Sequence, residues 1–283
     1  MKISVNLSYE GQTQERDEQS SLFLLSDSVL LSLEQQFVKR RSDKFRFTMM
    51  SSNRDLERKM EMRNERTNKE TILTFAGLIL MTILTTAKVL TGSRIAGSAL
   101  IIAGIAFFFI VEAVAKTKDS DSGLSFPRCF TDLKKPGVVP LILFMIVLTL
   151  LEMFLAKRLF GNALAEHVLE RAGIMSSTSI AAVLLNQVFV VLGEEIGFRG
   201  FFVGKGEKIL PFWPVALFSA VVFAAAHYAA GKGVIVAWDL GEVFIDAVLY
   251  ALIYRKSGNC LISCIPHFCN NMLGYFLVPI IFV

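Results

Sequence analysis

The feature that most constrains this chain is a series of apolar runs long enough to cross a lipid bilayer. About 20 mostly apolar residues make one helical span. Seven segments fit, at roughly 72–92, 95–115, 137–157, 179–202, 212–230, 233–254 and 259–281. The expected fold is therefore all-α: a multi-span transmembrane helical bundle of about seven spans, with a polar N-terminal extension. With 53% hydrophobic residues and 24 Phe, the chain is too apolar for a soluble domain. Its formal charge of +4 is mild, and no basic stripe with interleaved aromatics appears, so no nucleic acid partner is expected.

Residues 1–70 mix charges of both signs and contain no span. Ser26-Asp27 is placed to cap a short helix through Phe37. The alternating charges from Arg54 to Glu70 read as a solvated helix leading into the first span. No secretory signal is visible, because the first long apolar run begins near Ile72. The first two spans form a hairpin around Gly92-Ser93-Arg94. The connection 116–136 carries Lys116, Lys118, Arg128, Lys134 and Lys135, which the positive-inside rule assigns with the N-terminus to the cytoplasm. Lys157, Arg158 and Arg171 then fall outside, in an interfacial stretch at 158–177 that holds His167, read as a surface histidine. A Ser-Ser-Thr-Ser cap follows it. Three parts are expected: 1–70, a polar cytoplasmic extension; 71–136, a two-span hairpin and loop; and 137–283, the membrane core.

Three polar clusters interrupt the apolar segments: Glu194-Glu195 with Arg199, Phe223 with His227, and His267 with Asn270-Asn271. An ionisable group at membrane depth costs at least a few kcal/mol, so it usually faces a cavity and has a role. On a helix, positions four apart share a face. Glu195 and Arg199 therefore stack and neutralise each other. Glu194 points about 100° away and has no partner on its own helix, as suits a general base. His267 and Asn271 share a face, with Asn270 beside them, and are spaced to hold one oxygen between them, as an oxyanion hole requires. Pro266 loosens the helix just before them. At about 1.5 Å per residue, Glu194, His227 and His267 reach one layer near the midplane. Two of the chain's three histidines fall in these clusters.

Read in order, the clusters resemble the CAAX prenyl protease and bacteriocin-processing family of membrane endopeptidases. Its pattern is EExxxR, then FxxxH, then HxxxN. Here these are Glu194, Glu195 and Arg199; Phe223 and His227; and His267 and Asn271. The resemblance covers roughly residues 137–283. It implies an intramembrane endopeptidase with no covalent intermediate and no cofactor. Glu194 and His227 would activate water, His267 and Asn271 would stabilise the oxyanion, and Glu195 and Arg199 would hold the helix. The partners implied are the lipid bilayer and a peptide or protein substrate, prenylated in the CAAX case. The expected location is a multi-pass position in a bacterial cytoplasmic membrane, with an internal eukaryotic membrane as the alternative.

Other readings stay open from the residues. One is a zinc peptidase with Glu194, His227 and His267 as ligands, although HExxH is absent. Another is a non-catalytic scaffold or bacteriocin-immunity protein of the same fold. A transporter would need broken helices in two related halves, and no such symmetry is seen. Asp239, Glu242 and Asp246 make an acidic stripe in the sixth span that reads either as the wall of a watery cavity or as a surface for a cationic peptide. The four cysteines, Cys129, Cys260, Cys264 and Cys269, read as free thiols.

Overall fold

The computed structural model describes residues 39–40, 60–116, 121–172 and 179–281. The chain divides into two units, Met1–Glu65 and Arg66–Val283. In the first, the described residues 39–40 and 60–65 are helical. The helix expected over 26–37 lies outside the described residues. The second unit is a helical bundle, and among the described residues it contains no strand.

The helices are α1 (Met60–Thr91), α2 (Arg94–Ala115), α3 (Cys129–Leu133), α4 (Val138–Phe160), α5 (Ala163–Ala172), α6 (Ile180–Glu194), α7 (Gly204–Gly206), α8 (Phe212–Ala226), α9 (Gly233–Ser257) and α10 (Cys260–Ile281). Between α6 and α7, residues Glu195–Val203 wind as a π-helix. Local chemistry sets the ends. Gly92 takes the left-handed conformation (φ 64°) in the turn between α1 and α2. Ser93 Oγ then accepts from Ala96 N at 3.3 Å and starts α2. Ser179, last of the four-residue Ser/Thr run, caps α6 through Ala182 N in the same way. α9 stops at Gly258 (φ 69°), whose N–H returns to the Tyr254 carbonyl at 2.6 Å.

Among the described residues four helices are long and apolar enough to cross a membrane: α1, α2, α4 and the continuous Ile180–Gly206 rod. Phe212–Ala226 is apolar but shorter. α9 carries the three acidic residues and α10 the His267, Asn270 and Asn271 group. The outward faces are oily, with Val147, Leu151 and Phe154 on α4 and Leu185 and Phe189 on α6 all exposed. Apolar surface on this scale belongs against lipid. The chain is a multi-pass membrane protein.

The π-helical segment sits at the centre of the second unit, packed by α2, α6, α8, α9 and α10. Its closest neighbour is α2. A methyl group on Gly104 would lie 2.8 Å from the Gly197 Cα, so the two backbones touch where neither residue has a side chain. Around it a core of Leu100, Phe108, Phe198, Phe201, Phe202 and Phe223 closes over. A second core joins α4 to α9 and α10 through Val138, Met145, Tyr250 and Ile262. A third joins α4, α5 and α9 through Ala156, Leu164 and Ile235.

The connection before α4 is tied to the start of α10 by a satisfied polar knot. Asn259 is fully buried. Its Nδ2 donates to the Ser125 carbonyl (2.7 Å) and to Asp132 Oδ2 (3.1 Å), and its Oδ1 accepts from Ser125 N and Leu261 N. Asp132, itself 1% exposed, also pairs with Arg128 (3.0 Å) and Lys135 (2.8 Å). Burial alone would raise its carboxyl, but the hydrogen bonds from Lys135, Asn259 and Arg128 outweigh it and hold the group below the usual carboxylate range. All four cysteines are unbridged.

Candidate active site

Glu195 is the most deeply buried acid of the site, at 0% exposure. The i,i+4 pairing with Arg199 read from the sequence is present at 3.0 Å, even though the segment is π-helical and not α-helical. Arg199 is 1% exposed and lies between two aromatic faces, 4.5 Å from the Phe223 centroid and 4.9 Å from that of Tyr250. Its Nη2 also reaches the Ala247 carbonyl at 3.4 Å. The second oxygen of Glu195 accepts from Ser263 Oγ on α10.

Glu195 has a further partner that no spacing rule predicts. His267 Nδ1 lies 2.8 Å from Glu195 Oε1, across 72 residues of sequence. A carboxylate only accepts, so Nδ1 carries the hydrogen. That fixes the ring, with Tyr250 stacked on it at 4.7 Å and 18°, and leaves Nε2 facing Glu194 Oε2 at 3.5 Å. Nε2 and Glu194 thus face each other at the edge of the same cavity. The order Glu195, His267, Glu194 runs from the sealed interior to the open cavity: the Glu194 side chain is 12% exposed.

His227 is the residue just past the end of α8, not one within it. Phe223 still packs against it, with the rings tilted by 46° and their centroids 4.6 Å apart. His227 Nδ1 lies 2.9 Å from the Phe223 carbonyl oxygen. The carbonyl is an acceptor, so Nδ1–H donates and Nε2 is left as the basic nitrogen. Each histidine is thus held through Nδ1 and offers Nε2.

Glu194, His227, His267, Asn270 and Asn271 all line one cavity of about 350 Å³. Asn271 Nδ2 donates to Gln187 Oε1 on α6 at 3.0 Å. Asn270 turns the other way, toward Tyr250 Oη (3.2 Å) and Asp246 Oδ2 (3.4 Å). Every site residue singled out from the sequence therefore borders this cavity or braces a side chain that does.

Two further cavities flank it. One of about 180 Å³ shares Asp246, Asn270 and Asn271 and adds Glu152, Asp239 and Glu242. Here the acidic stripe of α9 divides in two. Asp239 is 2% exposed and paired with Arg171 Nη2 (3.0 Å) and His167 Nε2 (3.5 Å). Among the described residues Glu242 accepts only from Trp238 Nε1, and Asp246 only from Tyr250 and Asn270. His167 was expected at the surface but is 8% exposed, because α5 folds onto α9 and Gly231 packs close to its ring. The other flanking cavity, of about 310 Å³, shares Glu194, Phe223, His227 and Arg171 with the first and adds Lys88 and Arg94.

Sequence reasoning missed Gln187, Ser263, Tyr250 and Arg171. Three of them had a helical signal. Gln187 is seven residues before Glu194, Ser263 four before His267, and Tyr250 four after Asp246, all spacings that repeat one face. Arg171 had none, because it comes from a separate helix. Among the described residues no three His, Cys, Asp or Glu side chains group closely enough to hold a metal ion.

Residues 176–273 match the family described as type II CAAX prenyl endopeptidase, Rce1-like. The matched stretch contains all three clusters and bears out the resemblance they suggested. No curated protein and no solved structure matches the chain. At the level of that family the activity is a CAAX-type membrane protease, one that hydrolyses peptide or protein substrates.

Proposed function

We propose that this protein is an intramembrane endopeptidase that cleaves a peptide bond with an activated water, near the C-terminus of a lipidated or membrane-associated chain. The observation that carries this reading is the convergence of Glu194, His227, His267 and Asn271 on one cavity. Glu194 and the Nε2 of His227 take a proton from water as its oxygen attacks the carbonyl carbon. His267, as an imidazolium backed by the Glu195 carboxylate, donates from Nε2 to the oxyanion, and the Asn271 amide adds a second donor. The C–N bond then breaks, and the proton taken from water passes to the leaving nitrogen. The products are a carboxylate and an amine, with no covalent intermediate. Glu195 and Arg199 touch no reacting atom; they orient His267.

On this reading residues 137–283 are the catalytic core, 71–136 a two-span hairpin and 1–70 a polar cytoplasmic extension, in a bacterial cytoplasmic membrane. The test compares wild type with Glu194→Gln and His227→Ala in detergent, on peptides with and without a lipidated cysteine near the C-terminus, following thermal stability alongside. Cleavage abolished in both variants with folding intact, and unaffected by chelator, is the expected result. Cleavage lost on chelation and restored by zinc would replace this mechanism with the metallopeptidase one. No cleavage by wild type, with both variants strongly destabilised, would make the clusters interhelical contacts and favour a scaffold.

A further inference from the structure

We infer that Arg171, with Lys88 and Arg94, forms a subsite that recognises the free α-carboxylate at the C-terminus of the substrate. The inference rests on the peptidase reading above and adds which residues of this chain hold the terminal carboxylate and so orient the peptide.

The flanking cavity of about 310 Å³ brings these three cations, from α1, α2 and α5, to the wall that Glu194 and His227 also form. Apart from Glu194 itself, no acidic residue among the described residues lines it. Arg171 is built into this position. Asp239, which does not border this cavity, holds the guanidinium from behind through Nη2 at 3.0 Å. The Arg171 Nε is buried without a hydrogen-bond partner. Lys88 Nζ is steadied by the Tyr228 carbonyl at 3.3 Å, next to His227. Arg171 also borders the catalytic cavity, where it is the one Lys or Arg among the lining residues.

An anion bound here lies close to the attacked carbonyl. An extended peptide advances about 3.3 Å per residue, so the natural anion is a chain-terminal carboxylate only a few residues beyond the scissile bond. A planar guanidinium suits that group. A second flanking cavity, which shares Arg171 and Asp246 with the catalytic one, adds Glu152, Asp239 and Glu242. Lys88 and Arg94 border the cavity of about 310 Å³ and not that acidic one, so a carboxylate is drawn toward the α1 and α2 side of Arg171.

The experiment uses the full-length protein in nanodiscs and a pair of lipidated peptides identical except for a C-terminal carboxylate or carboxamide. Binding is measured by fluorescence on the Glu194→Gln variant, and cleavage on the wild-type background. Wild type is expected to favour the acid over the amide by on the order of 10- to 100-fold, the range for a charge-assisted hydrogen bond. Arg171→Gln should erase most of that preference. Because Arg171 also braces Asp239, Lys88→Gln combined with Arg94→Gln serves as a second variant and should reduce the preference several-fold with unchanged thermal stability. Equal use of acid and amide by wild type, or a preference that survives both sets of substitutions, would overturn the subsite. If the substitutions alter only the dependence of activity on anionic lipid, the cations serve lipid headgroups and the inference fails. Carboxylate-dependent binding, lost in the variants but without cleavage by wild type, would uphold the subsite and refute the peptidase reading.

Discussion

Glu195 and the pair Glu242 and Asp246 are all carboxylates inside one helical bundle, and the protein treats them in opposite ways. Glu195 is sealed. It has an arginine on one side, a histidine ring on the same oxygen and a serine hydroxyl on the other. Among the described residues Glu242 and Asp246 have only neutral donors, from Trp238, Tyr250 and Asn270, and both open onto a cavity. A buried charge is tolerated when its partners are fully supplied from within, or when solvent or ligand reaches it. The first solution makes a rigid brace. The second leaves a negative wall free to act on whatever enters. Rigidity and availability are thus assigned to different acids, and His267 is oriented by the rigid one.

The largest effect should come from breaking the brace. Glu195→Ala leaves Arg199 buried and uncompensated, and is expected to cost about 3–5 kcal/mol of stability, measured as thermal or denaturant unfolding in detergent. The double variant Glu195→Gln, Arg199→Met should recover much of that stability but not the cleavage activity, because an amide oxygen can still accept from His267 Nδ1 but lacks the charge that backs an imidazolium. Recovery of activity in the double variant would show that Glu195 is only a structural partner for Arg199. Ser263→Ala removes one donor to the same carboxylate and should cost about 1–3 kcal/mol, with a smaller loss of activity.

The open wall predicts the reverse sign. Glu242→Gln removes a charge that has no cation in contact, so stability should stay level or rise by up to about 1 kcal/mol. A clear loss would mean Glu242 is braced as Glu195 is. Asp132, in the polar connection before α4, gives the smallest and most pH-specific effect. Its folded carboxyl sits below its ordinary value. Its contribution is therefore present above pH 4, near the unfolded value, and is lost as pH falls through the lower folded value. Asp132→Asn should flatten the acid side of the stability profile and lower stability at neutral pH. An unchanged profile would refute the pairing with Lys135 and Arg128.

Much of this was legible in the residues. The apolar runs located the helices to within a few positions, and Ser93, Ser179, Gly92 and Gly258 marked helix ends where capping chemistry demands them. The Glu195–Arg199 pair followed from a four-residue spacing. The π-helical winding did not, nor did the close approach of α2 at Gly197, and no local rule contains either. His167 was misjudged for a related reason: a single histidine in a polar stretch carries no sign that α9 will cover it.

The sequence alone determined what is periodic and near in the chain: a helical membrane bundle, three polar clusters at helical spacing, and which residues of each cluster share a face. The tertiary structure decided the pairings across the chain: His267 with Glu195 rather than with Asn271, Asp239 with Arg171, and Lys88 and Arg94 beside Arg171 at a cavity that Glu194 and His227 also border. The physical reason is range. Helix geometry fixes neighbours within a turn or two, whereas the partner of a buried charge is chosen by which helix packs against it.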